Sequence, residues 1–462
     1  MRLPASKLIF LTLVLLLADT GCQQKAGPEP AETQLAKSLM LEWNRLFLEL
    51  ERFTPGYRVP VTARAFAYVM SAAYQSALPY LTGSCSLEKY FPDFQPSSDF
   101  RGKFYLPASL NAAYAEILRD FFPTAPPHLQ EKINLLEAEQ AQQLRMETDP
   151  TTYRLSANYG KRSAVAVWRW SATDSLGHDA FLNNYDQRYV LPVCQGCWQP
   201  DQEHPAQQPL LPHWGEVRSF LVPRTAVAVK APVTYDVHPG SDFYAGAMEV
   251  YSVSNPIAKE NSWIAEFWSD DVPGFTVSPT GRWISIANQA VEKSEITFPE
   301  MLELYLKLGY AMSDALVICW DAKYRFNLER PADYIRRYIR SDWKPLHDSP
   351  LFPAYPSGHS AVGAAASTVL IAKFGSEFTL TDRTHENRLE FAGKPRTYSS
   401  FSAMAQENAF SRIVLGVHYR MDCEEGLRIG RLVGQKITGL QLVKDEVSML
   451  DHKPEAIVTG KQ

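Results

Sequence analysis

The chain has 462 residues, of which 45% are hydrophobic, 21% charged and 12% aromatic. Its 46 lysines and arginines against 51 aspartates and glutamates give a formal net charge of −5 at pH 7. This composition excludes a disordered, collagen-like or coiled-coil protein. A mildly acidic chain also lacks the electrostatic footprint of a nucleic-acid-binding protein. The length suffices for two or three structural units, or for one large helical domain with a sizeable core.

The first segment of the chain has the pattern of an export signal. Arg2 and Lys7 precede an apolar run from Leu8 to Ala18, and Gly21 and Cys22 follow it. A small residue before a cysteine resembles a bacterial lipoprotein signal, in which that cysteine is lipidated and becomes the first mature residue. The chain departs from that motif three positions before the cysteine, where an aspartate replaces the usual apolar residue. Ordinary secretion and an uncleaved anchor are the alternatives.

Hydrophobic residues recur at helical spacing along most of the remaining chain. From Cys194 to Val233, six prolines interrupt every window, which predicts a long surface connection between two helical halves. Strand-like alternation is scarce, so the predicted fold class is all-α. The predicted helices run over Leu35–Phe53, Ala63–Leu81, Leu110–Phe122, Leu129–Met146, Ser262–Trp268, Arg282–Lys293, Pro299–Tyr324, Ser360–Phe374 and Cys423–Leu442.

The six cysteines are too few for a disulfide scaffold. Cys194 and Cys197 form a lone CxxC motif in the proline-rich stretch, and Trp198 rather than a histidine follows them. Zinc-ribbon and c-type haem sites are therefore excluded, and a local disulfide is predicted. Cys319 and Cys423 lie among apolar or helical residues and are predicted to be buried.

The first motif with chemical character is a pair of basic residues near a predicted helix end. Lys323 and Arg330 are seven residues apart, which is about 700° of helical rotation and predicts one shared face. Two cations would then converge on one anion. Pro331 limits the helix at Arg330. A solvated stripe of basic residues is the alternative interpretation.

The second motif is Pro356-Ser357-Gly358-His359, directly before a helix of small residues. Ser357 occupies the position of a helix N-cap. Gly358 allows the backbone N–H groups to approach an oxyanion, which a helix N-terminus favours. His359 would then stand beside the anion. The alternative is a serine-capped helix with an incidental histidine.

The third motif joins Arg412, His418 and Asp422. Arg412 and His418 are six residues apart and would face different sides of a continuous helix, so a break at Gly416 is predicted to turn both toward one site. His418 and Asp422 are at i and i+4, on one helix face. The carboxylate can then hold one ring nitrogen and leave the other as a ligand or nucleophile.

The three motifs occur in the order Lys-x6-Arg-Pro, Pro-Ser-Gly-His and Ser-Arg-x5-His-x3-Asp. This order resembles the signature of one enzyme superfamily, the type 2 phosphatidic acid phosphatases and vanadium-dependent haloperoxidases. Trp320, three residues before Lys323, and Phe352 in Phe-Pro-Ala-Tyr are similar to the soluble haloperoxidases. The similarity covers most of the chain. Within the superfamily, the chain most resembles the soluble bacterial iodoperoxidases in character. No later stretch reaches the ~18 apolar residues of a membrane span, which argues against the integral-membrane lipid phosphatases.

The resemblance implies two helical bundles of the haloperoxidase and acid phosphatase type, with long irregular connecting loops. It also implies a vanadate cofactor and a role for each motif residue. Lys323, Arg330 and Arg412 would neutralise the oxyanion, Ser357 and Gly358 would hydrogen-bond it, and His418 would bind the vanadium. Catalysis would use His359 as acid and base, His418 oriented by Asp422, and Lys323 as the donor to peroxide, beside a halide pocket of Trp320 and Phe352.

The implied substrates are hydrogen peroxide and a halide, which yield hypohalous acid. Phe352 together with Trp320 is similar to fungal chloroperoxidases and marine bacterial iodoperoxidases, whereas algal bromoperoxidases usually have histidine at the first position. Iodide is therefore the expected halide and bromide the second candidate. A soluble secreted acid phosphatase, with His418 as the phosphoryl-accepting nucleophile, is one alternative. A surface lipoprotein that binds phosphate or vanadate without turnover is another.

Two further groups of polar residues lie outside these motifs. Asp270 and Asp271 either supply a carboxylate to an active-site arginine or form a solvated acidic turn. Six histidines show no ligand-spaced pair and are predicted to be surface or loop residues, namely His178, His204, His213, His238, His347 and His385.

These features predict the organisation of an exported bacterial protein. It would be periplasmic or at the cell surface, attached to a membrane only through lipid on Cys22. The predicted segments are a signal peptide at 1–21, a flexible tether at 22–34, an N-terminal helical half with the proline-rich loop at 35–240, a C-terminal helical half with the oxyanion site at 241–450, and a tail at 451–462.

Overall fold

The protein is described by a computed structural model that covers residues 29–200, 208–270, 272, 274–386, 388 and 393–440. Within these residues it has fourteen α-helices and one two-stranded sheet, which confirms the all-α class. No helix in this part of the chain is long and apolar enough to span a bilayer. The predicted signal peptide, Cys22 and the tail lie outside the described residues, so export, lipidation and the segment boundaries stay predictions.

Six helices form the N-terminal half. Helix α1 begins at Ala31, so residues 31–34, which were assigned to the predicted tether, are helical. Helix α5 packs on α3, and its buried face includes several small residues such as Ser156, Gly160 and Ser163. The helices are α1 Ala31–Phe53, α2 Val59–Ala77, α3 Leu106–Phe121, α4 Pro127–Glu147, α5 Pro150–Ala172 and α6 Ser175–His178.

Eight helices form the C-terminal half, together with antiparallel strands β1 Leu380–Asp382 and β2 Arg396–Tyr398, in which Leu380 pairs with Tyr398. Helix α10 is central, because it packs against α2, α12 and α14. The helices are α7 Asp242–Ser254, α8 Lys259–Phe267, α9 Pro279–Glu292, α10 Phe298–Phe326, α11 Pro331–Tyr338, α12 Gly358–Phe374, α13 Phe401–Val414 and α14 Arg420–Thr438.

Glycines allow α12 and α14 to pack closely. A Cβ atom on Gly430 would lie 2.1 Å from the carbonyl oxygen of Ala361, and one on Gly426 would lie 2.6 Å from that of Ser357. Larger side chains would therefore push the two helices apart. The backbone N–H of Ser357 donates to the carbonyl oxygen of Asp422 at 2.9 Å. This packing brings the start of α12 and the first turn of α14 together.

The proline-rich stretch is not a surface connection in its described part. Residues 208–233 contain only two short 3-10 helices, Trp214–Glu216 and Arg224–Ala226, yet Trp214 and Phe220 within them are buried. The buried carboxylate of Asp314 accepts the backbone N–H groups of Phe220, Leu221 and Val222 at 2.6 to 2.8 Å. Proline interrupts helices without preventing the apolar residues between prolines from packing, and the carboxylate satisfies backbone groups that would otherwise be buried without partners.

The predicted disulfide between Cys194 and Cys197 is present. Its loop pairs with the residues that follow α10. The backbone N–H of Trp198 donates to the carbonyl oxygen of Asn327 at 2.7 Å, and that of Glu329 donates to the carbonyl oxygen of Gly196 at 2.9 Å. The disulfide loop therefore supports the chain just before Arg330.

Glu407 on α13 hydrogen-bonds residues of several elements, and we expect it to contribute to the pH dependence of the unfolding free energy. Its carboxylate accepts two bonds of 2.7 Å from Arg396, one of 2.6 Å from Tyr398 and one of 3.0 Å from the indole of Trp268. Burial alone would raise the pKa of Glu407, but these hydrogen bonds lower it below its usual value. A depressed folded-state pKa contributes stability above the unfolded pKa, and that stability is lost as the pH falls through the folded value.

We therefore expect Glu407→Gln to cost about 1–3 kcal/mol of unfolding free energy at neutral pH. The difference from wild type should shrink as the pH falls below the normal carboxyl range of about 4. Denaturant unfolding at a series of pH values measures this difference. A difference that stays constant down to low pH would contradict the assignment.

Candidate active site

The three sequence motifs meet in one buried cluster. Lys323 lies in the last turn of α10, Arg330 precedes α11, and Arg412 lies in the last turn of α13. Their exposed fractions are 0%, 0% and 3%. The structure therefore places three cationic side chains together in the interior of a net-negative protein.

The shared helix face predicted for Lys323 and Arg330 is absent, and that prediction was wrong. Helix α10 ends at Phe326, and Asn327 adopts the left-handed conformation at φ 45°. Arg330 is the residue before the first turn of α11. The two cations nevertheless converge, because the chain turns back at Asn327 rather than continuing as a helix.

Backbone carbonyl groups hold both cations. Lys323 Nζ donates to the carbonyl oxygens of Pro353 and Ala354 at 2.9 and 3.0 Å. Arg330 donates from Nε and Nη2 to the carbonyl oxygen of Phe352 at 3.0 and 2.8 Å, and from Nη1 to that of Val417 at 2.8 Å. Burial lowers the pKa of Lys323 and of Arg330. The carbonyl groups are dipoles without net charge, so they leave the positive charges of Lys323 and Arg330 uncompensated. This favours binding of an anion.

The second motif opens helix α12 as predicted. Ser357 is its N-cap, and the serine side chain accepts the backbone N–H of Ser360 at 3.4 Å. His359 Nε2 lies 3.0 Å from Arg412 Nη1. The His359 ring also hydrogen-bonds the backbone of Asp270. Burial and the neighbouring Arg412 lower the pKa of His359 well below its usual value. The histidine is thus neutral and beside the cations.

The third motif supplies a histidine with an oriented ring. The predicted break is present, since α13 ends at Val414 and Gly416 has φ 81°. His418 lies before α14 rather than within it, so the predicted common helix is wrong for this residue. Its Nδ1 nevertheless lies 2.9 Å from Asp422 Oδ2, which also accepts the N–H of Tyr419 at 3.0 Å.

This arrangement leaves His418 Nε2 as a candidate ligand atom. Burial and the Arg330 guanidinium lower the pKa of His418 well below its usual value, and burial raises the pKa of Asp422. When Nδ1–H donates to the carboxylate, Nε2 keeps a lone pair. Nε2 lies 3.2 Å from Arg330 Nη1, inside the cationic cluster.

Aromatic rings form one wall of the site. Trp320 and Phe352 have ring centroids 5.0 Å apart, and Lys323 Nζ lies 4.9 Å from the centroid of Phe352. The indole Nε1 of Trp320 is buried with no hydrogen-bond partner among the described residues. A cavity of about 90 Å³ is lined by Trp320, Phe352, Gly358, His359, Arg412 and His418, among others.

The same cavity includes residues to which the sequence interpretation gave no role. His347 lies in a loop, as expected, but it lines the cavity, and its Nε2 is 3.3 Å from Ser269 Oγ. Asp270 is buried, so the solvated turn is wrong, and its carboxylate pairs with Arg282 at 3.4 Å rather than with an arginine of the cluster. Asp271 lies outside the described residues. Of the other five histidines, His385 is buried.

The donor set fits a compact oxyanion such as vanadate. Arg412 lines the cavity, and the buried Lys323 and Arg330 lie close enough to His418 to lower its pKa. The carboxylate of Asp422 is already engaged by His418 and Tyr419. A bound oxyanion would supply the missing negative charge. The neutral imidazole supplies a nitrogen of the kind that binds metal centres.

Gly358 leaves little room at the start of α12. A Cβ at this position would lie 3.1 Å from the Trp320 ring, and one at Gly363 on the same helix would lie 3.1 Å from Trp283 Nε1. We expect Gly358→Ala to weaken orthovanadate binding about tenfold by displacing cavity residues, whereas Gly363→Ala should leave it unchanged. Isothermal titration calorimetry measures both dissociation constants. An equal affinity for the two variants would contradict a role for Gly358 at the anion.

Comparisons of sequence find similar proteins of known kind. A family model described as the VCPO second helical-bundle domain matches residues 339–444. The vanadium-dependent bromoperoxidase of Ascophyllum nodosum is 33% identical over 94 residues, and that of Corallina officinalis is 29% identical over 164 residues. The matches cover 18% and 33% of this chain. The chain matches only 17% and 26% of the lengths of these two relatives.

Comparisons of structure extend the likeness to most of the chain. The crystal structure described as the first bacterial vanadium-dependent iodoperoxidase aligns with a TM-score of 0.76 and 28% identity, over 89% of this chain and 98% of that one. A holo-type bacterial vanadium-dependent chloroperoxidase aligns with a TM-score of 0.66 and 17% identity, over 84% and 92% of the two chains, and shares the fold. Fold and site thus define a helical-bundle protein with a buried cluster of cationic side chains. In sequence and in structure, the chain is similar to vanadium-dependent haloperoxidases.

Proposed function

We propose that this protein is a vanadate-dependent haloperoxidase, which oxidises a halide with hydrogen peroxide to hypohalous acid. The observation that carries the proposal is the position of His418 Nε2. This atom belongs to a neutral, carboxylate-oriented histidine and lies within a cluster of three buried cations. The iodoperoxidase of known structure, which is 28% identical over most of the chain, supports the same activity.

Each residue of the cluster has a task in this proposal. His418 Nε2 would hold the metal centre, and Asp422 fixes the tautomer that exposes this atom. Lys323, Arg330 and Arg412 would hold the oxygen atoms of the anion and offset their charge. When bound, vanadate supplies a Lewis-acidic centre that polarises peroxide.

Residues at the start of α12 would complete the site. The Ser357 side chain and the Gly358 N–H are proposed donors to the anion at the helix N-terminus. His359 is neutral, because burial and Arg412 lower its pKa, and it can therefore accept a proton from hydrogen peroxide within hydrogen-bond reach. Lys323 would donate a hydrogen bond to bound peroxide.

Iodide is the proposed halide, with bromide as the second. The wall of Trp320 and Phe352 offers apolar ring surface next to Lys323. Transferring a halide from water to such a wall costs least for the largest and most weakly hydrated ion, which is iodide. The likeness to the bacterial iodoperoxidase structure supports the same choice.

The acid phosphatase remains a second candidate function, favoured by the pair of His418 and Asp422. A histidine oriented by a carboxylate at 2.9 Å, with His359 in the same cavity, is also the arrangement required for a phosphohistidine intermediate. Export and lipid attachment at Cys22 are proposed from the N-terminal sequence pattern alone.

The test is a comparison of activities in one preparation. Purified protein is reconstituted with orthovanadate in phosphate-free buffer, and peroxide-dependent oxidation of iodide and bromide is measured. Hydrolysis of a phosphomonoester by the vanadate-free protein is measured in parallel. We expect vanadate-dependent oxidation, faster with iodide. Phosphomonoester hydrolysis without oxidation would favour the phosphatase, and neither activity would favour a binding protein.

A further inference from the structure

A second buried ionic cluster lies beside the active site. We call it the Arg282 cluster, and it consists of Arg282 on α9, Asp382 at the end of β1, Asp270 and His385. Arg282 Nε donates to Asp382 Oδ2 at 2.9 Å, and Nη1 contacts Asp270 Oδ1 at 3.4 Å. His385 Nε2 lies 3.4 Å from the same oxygen of Asp270. All four residues are at most 5% exposed.

Arg282 contacts the four-residue segment 267–270, which begins at the last residue of α8, at several points. Its Nη2 donates to the carbonyl oxygen of Phe267 at 3.1 Å. Its guanidinium carbon lies 4.4 Å from the ring centroid of Phe267 and 4.6 Å from that of Trp268. With the Asp270 contact, one side chain thus fixes three of the four residues. A planar five-donor guanidinium is suited to such a task in a way that an ammonium is not.

The other side of segment 267–270 contacts the active site through its backbone. The carbonyl oxygen of Trp268 accepts a hydrogen bond from Arg412 Nη2. The backbone of Asp270 hydrogen-bonds the ring of His359. Ser269 and Asp270 also line the cavity. The segment therefore lies between the Arg282 cluster and two of the side chains assigned to the oxyanion.

We propose that Arg282 is a positioning residue of the active site, which orients Arg412 and His359 by fixing the backbone of segment 267–270. Asp382 shares this role, because its carboxylate holds Arg282 Nε. This inference rests on one part of the proposed function, namely that the site binds an oxyanion. Outer contacts of this kind typically change ligand affinity by about 10–100-fold when removed.

Arg64 provides a matched control for a merely structural role. It is also a buried arginine, and its Nε donates to Asp174 at 3.1 Å. Its Nη2 donates to the carbonyl oxygen of Ser171 at 2.9 Å, and its guanidinium stacks 4.6 Å from the ring of Tyr68. The same kinds of contact occur in the N-terminal half, away from the oxyanion cavity.

The experiment measures binding of orthovanadate, and separately of inorganic phosphate, by isothermal titration calorimetry to wild type, Arg282→Lys, Asp382→Asn and Arg64→Lys. We expect Kd to rise about tenfold for Arg282→Lys and for Asp382→Asn. Arg64→Lys should bind both anions with the wild-type Kd. Its Tm should nevertheless fall, as we expect for Arg282→Lys. In steady-state iodide oxidation, the first two variants should lose kcat with little change in the KM for iodide.

The inference is overturned if the folded Arg282→Lys and Asp382→Asn variants bind both anions as wild type does, or if Arg64→Lys loses affinity equally. Asp382→Asn preserves the shape of the side chain, and it decides the question where Arg282→Lys does not fold. If wild type itself binds neither orthovanadate nor phosphate, the proposed function fails instead.

Discussion

Replacing His418 with alanine should abolish vanadate-dependent halide oxidation and weaken orthovanadate binding by about 100-fold or more, which corresponds to ~2.8 kcal/mol. The physical reason is that Nε2 is the proposed nitrogen ligand, and Asp422 orients its ring through a contact of 2.9 Å at Nδ1. The three cations would still attract an anion, but they cannot replace a bond to the metal. Calorimetric titration with orthovanadate and an iodide oxidation assay measure the two effects.

A matched control is His238→Ala. The His238 side chain is 82% exposed and pairs with Asp236, so its removal should leave both binding and oxidation unchanged. Retention of full oxidation by His418→Ala would contradict the ligand assignment. A loss of oxidation in His238→Ala of the same size would show that the effect is not specific to the site.

Replacing Asp422 with asparagine should reduce oxidation and vanadate affinity by about 100-fold while the protein stays folded. The carboxylate accepts the Nδ1–H of His418 and the N–H of Tyr419. A carboxamide can instead donate to Nδ1, which would move the proton to Nε2 and remove the lone pair needed for binding. The test compares the affinity of the variant for orthovanadate with its thermal stability.

Asp314→Asn is the control for burial of a carboxylate. Asp314 is fully buried and accepts backbone N–H groups from residues 220–222, at a distance from the oxyanion cavity. Its variant should lose stability without losing affinity for orthovanadate. An Asp422→Asn protein with wild-type affinity would contradict the role of Asp422 in orienting His418.

Much of the candidate site could be predicted because its side chains carry local signals. A serine and a glycine directly before a run of small residues indicate a helix start, and Ser357 is indeed the N-cap of α12. A glycine between two polar residues six apart indicates a break, and Gly416 has a positive φ. These signals come from residues that are adjacent in sequence, so they can be recognised from a single sequence.

The relation of Lys323 to Arg330 could have been read from Asn327. Asparagine is one of the residues that tolerate the left-handed conformation at a helix end, and Asn327 adopts it. The seven-residue spacing of Lys323 and Arg330 suggested a helix through this position, but the turn at Asn327 ends it. The two cations still meet because carbonyl groups of Phe352, Pro353 and Ala354 hold them.

Contacts made by backbone carbonyls had no signal in the sequence. The oxygen of Trp268, which accepts a hydrogen bond from Arg412, belongs to the main chain and has no residue type of its own. Helix α5 was not predicted either, because small or polar residues such as Ser156, Gly160 and Ser163 occupy much of its buried face. A Cβ on its Gly160 would lie 1.9 Å from the carbonyl oxygen of Ser109. Both features depend on partners distant in sequence.

The identity of the buried cluster as a vanadate site is tested most directly by calorimetric titration of the wild-type protein with orthovanadate in phosphate-free buffer. We predict saturable binding of one vanadate per chain, weakened by added phosphate because both anions would occupy the cluster of Lys323, Arg330 and Arg412. The same titration of His418→Ala should show at least about 100-fold weaker binding. Absence of saturable binding to the folded wild-type protein would contradict the vanadate site.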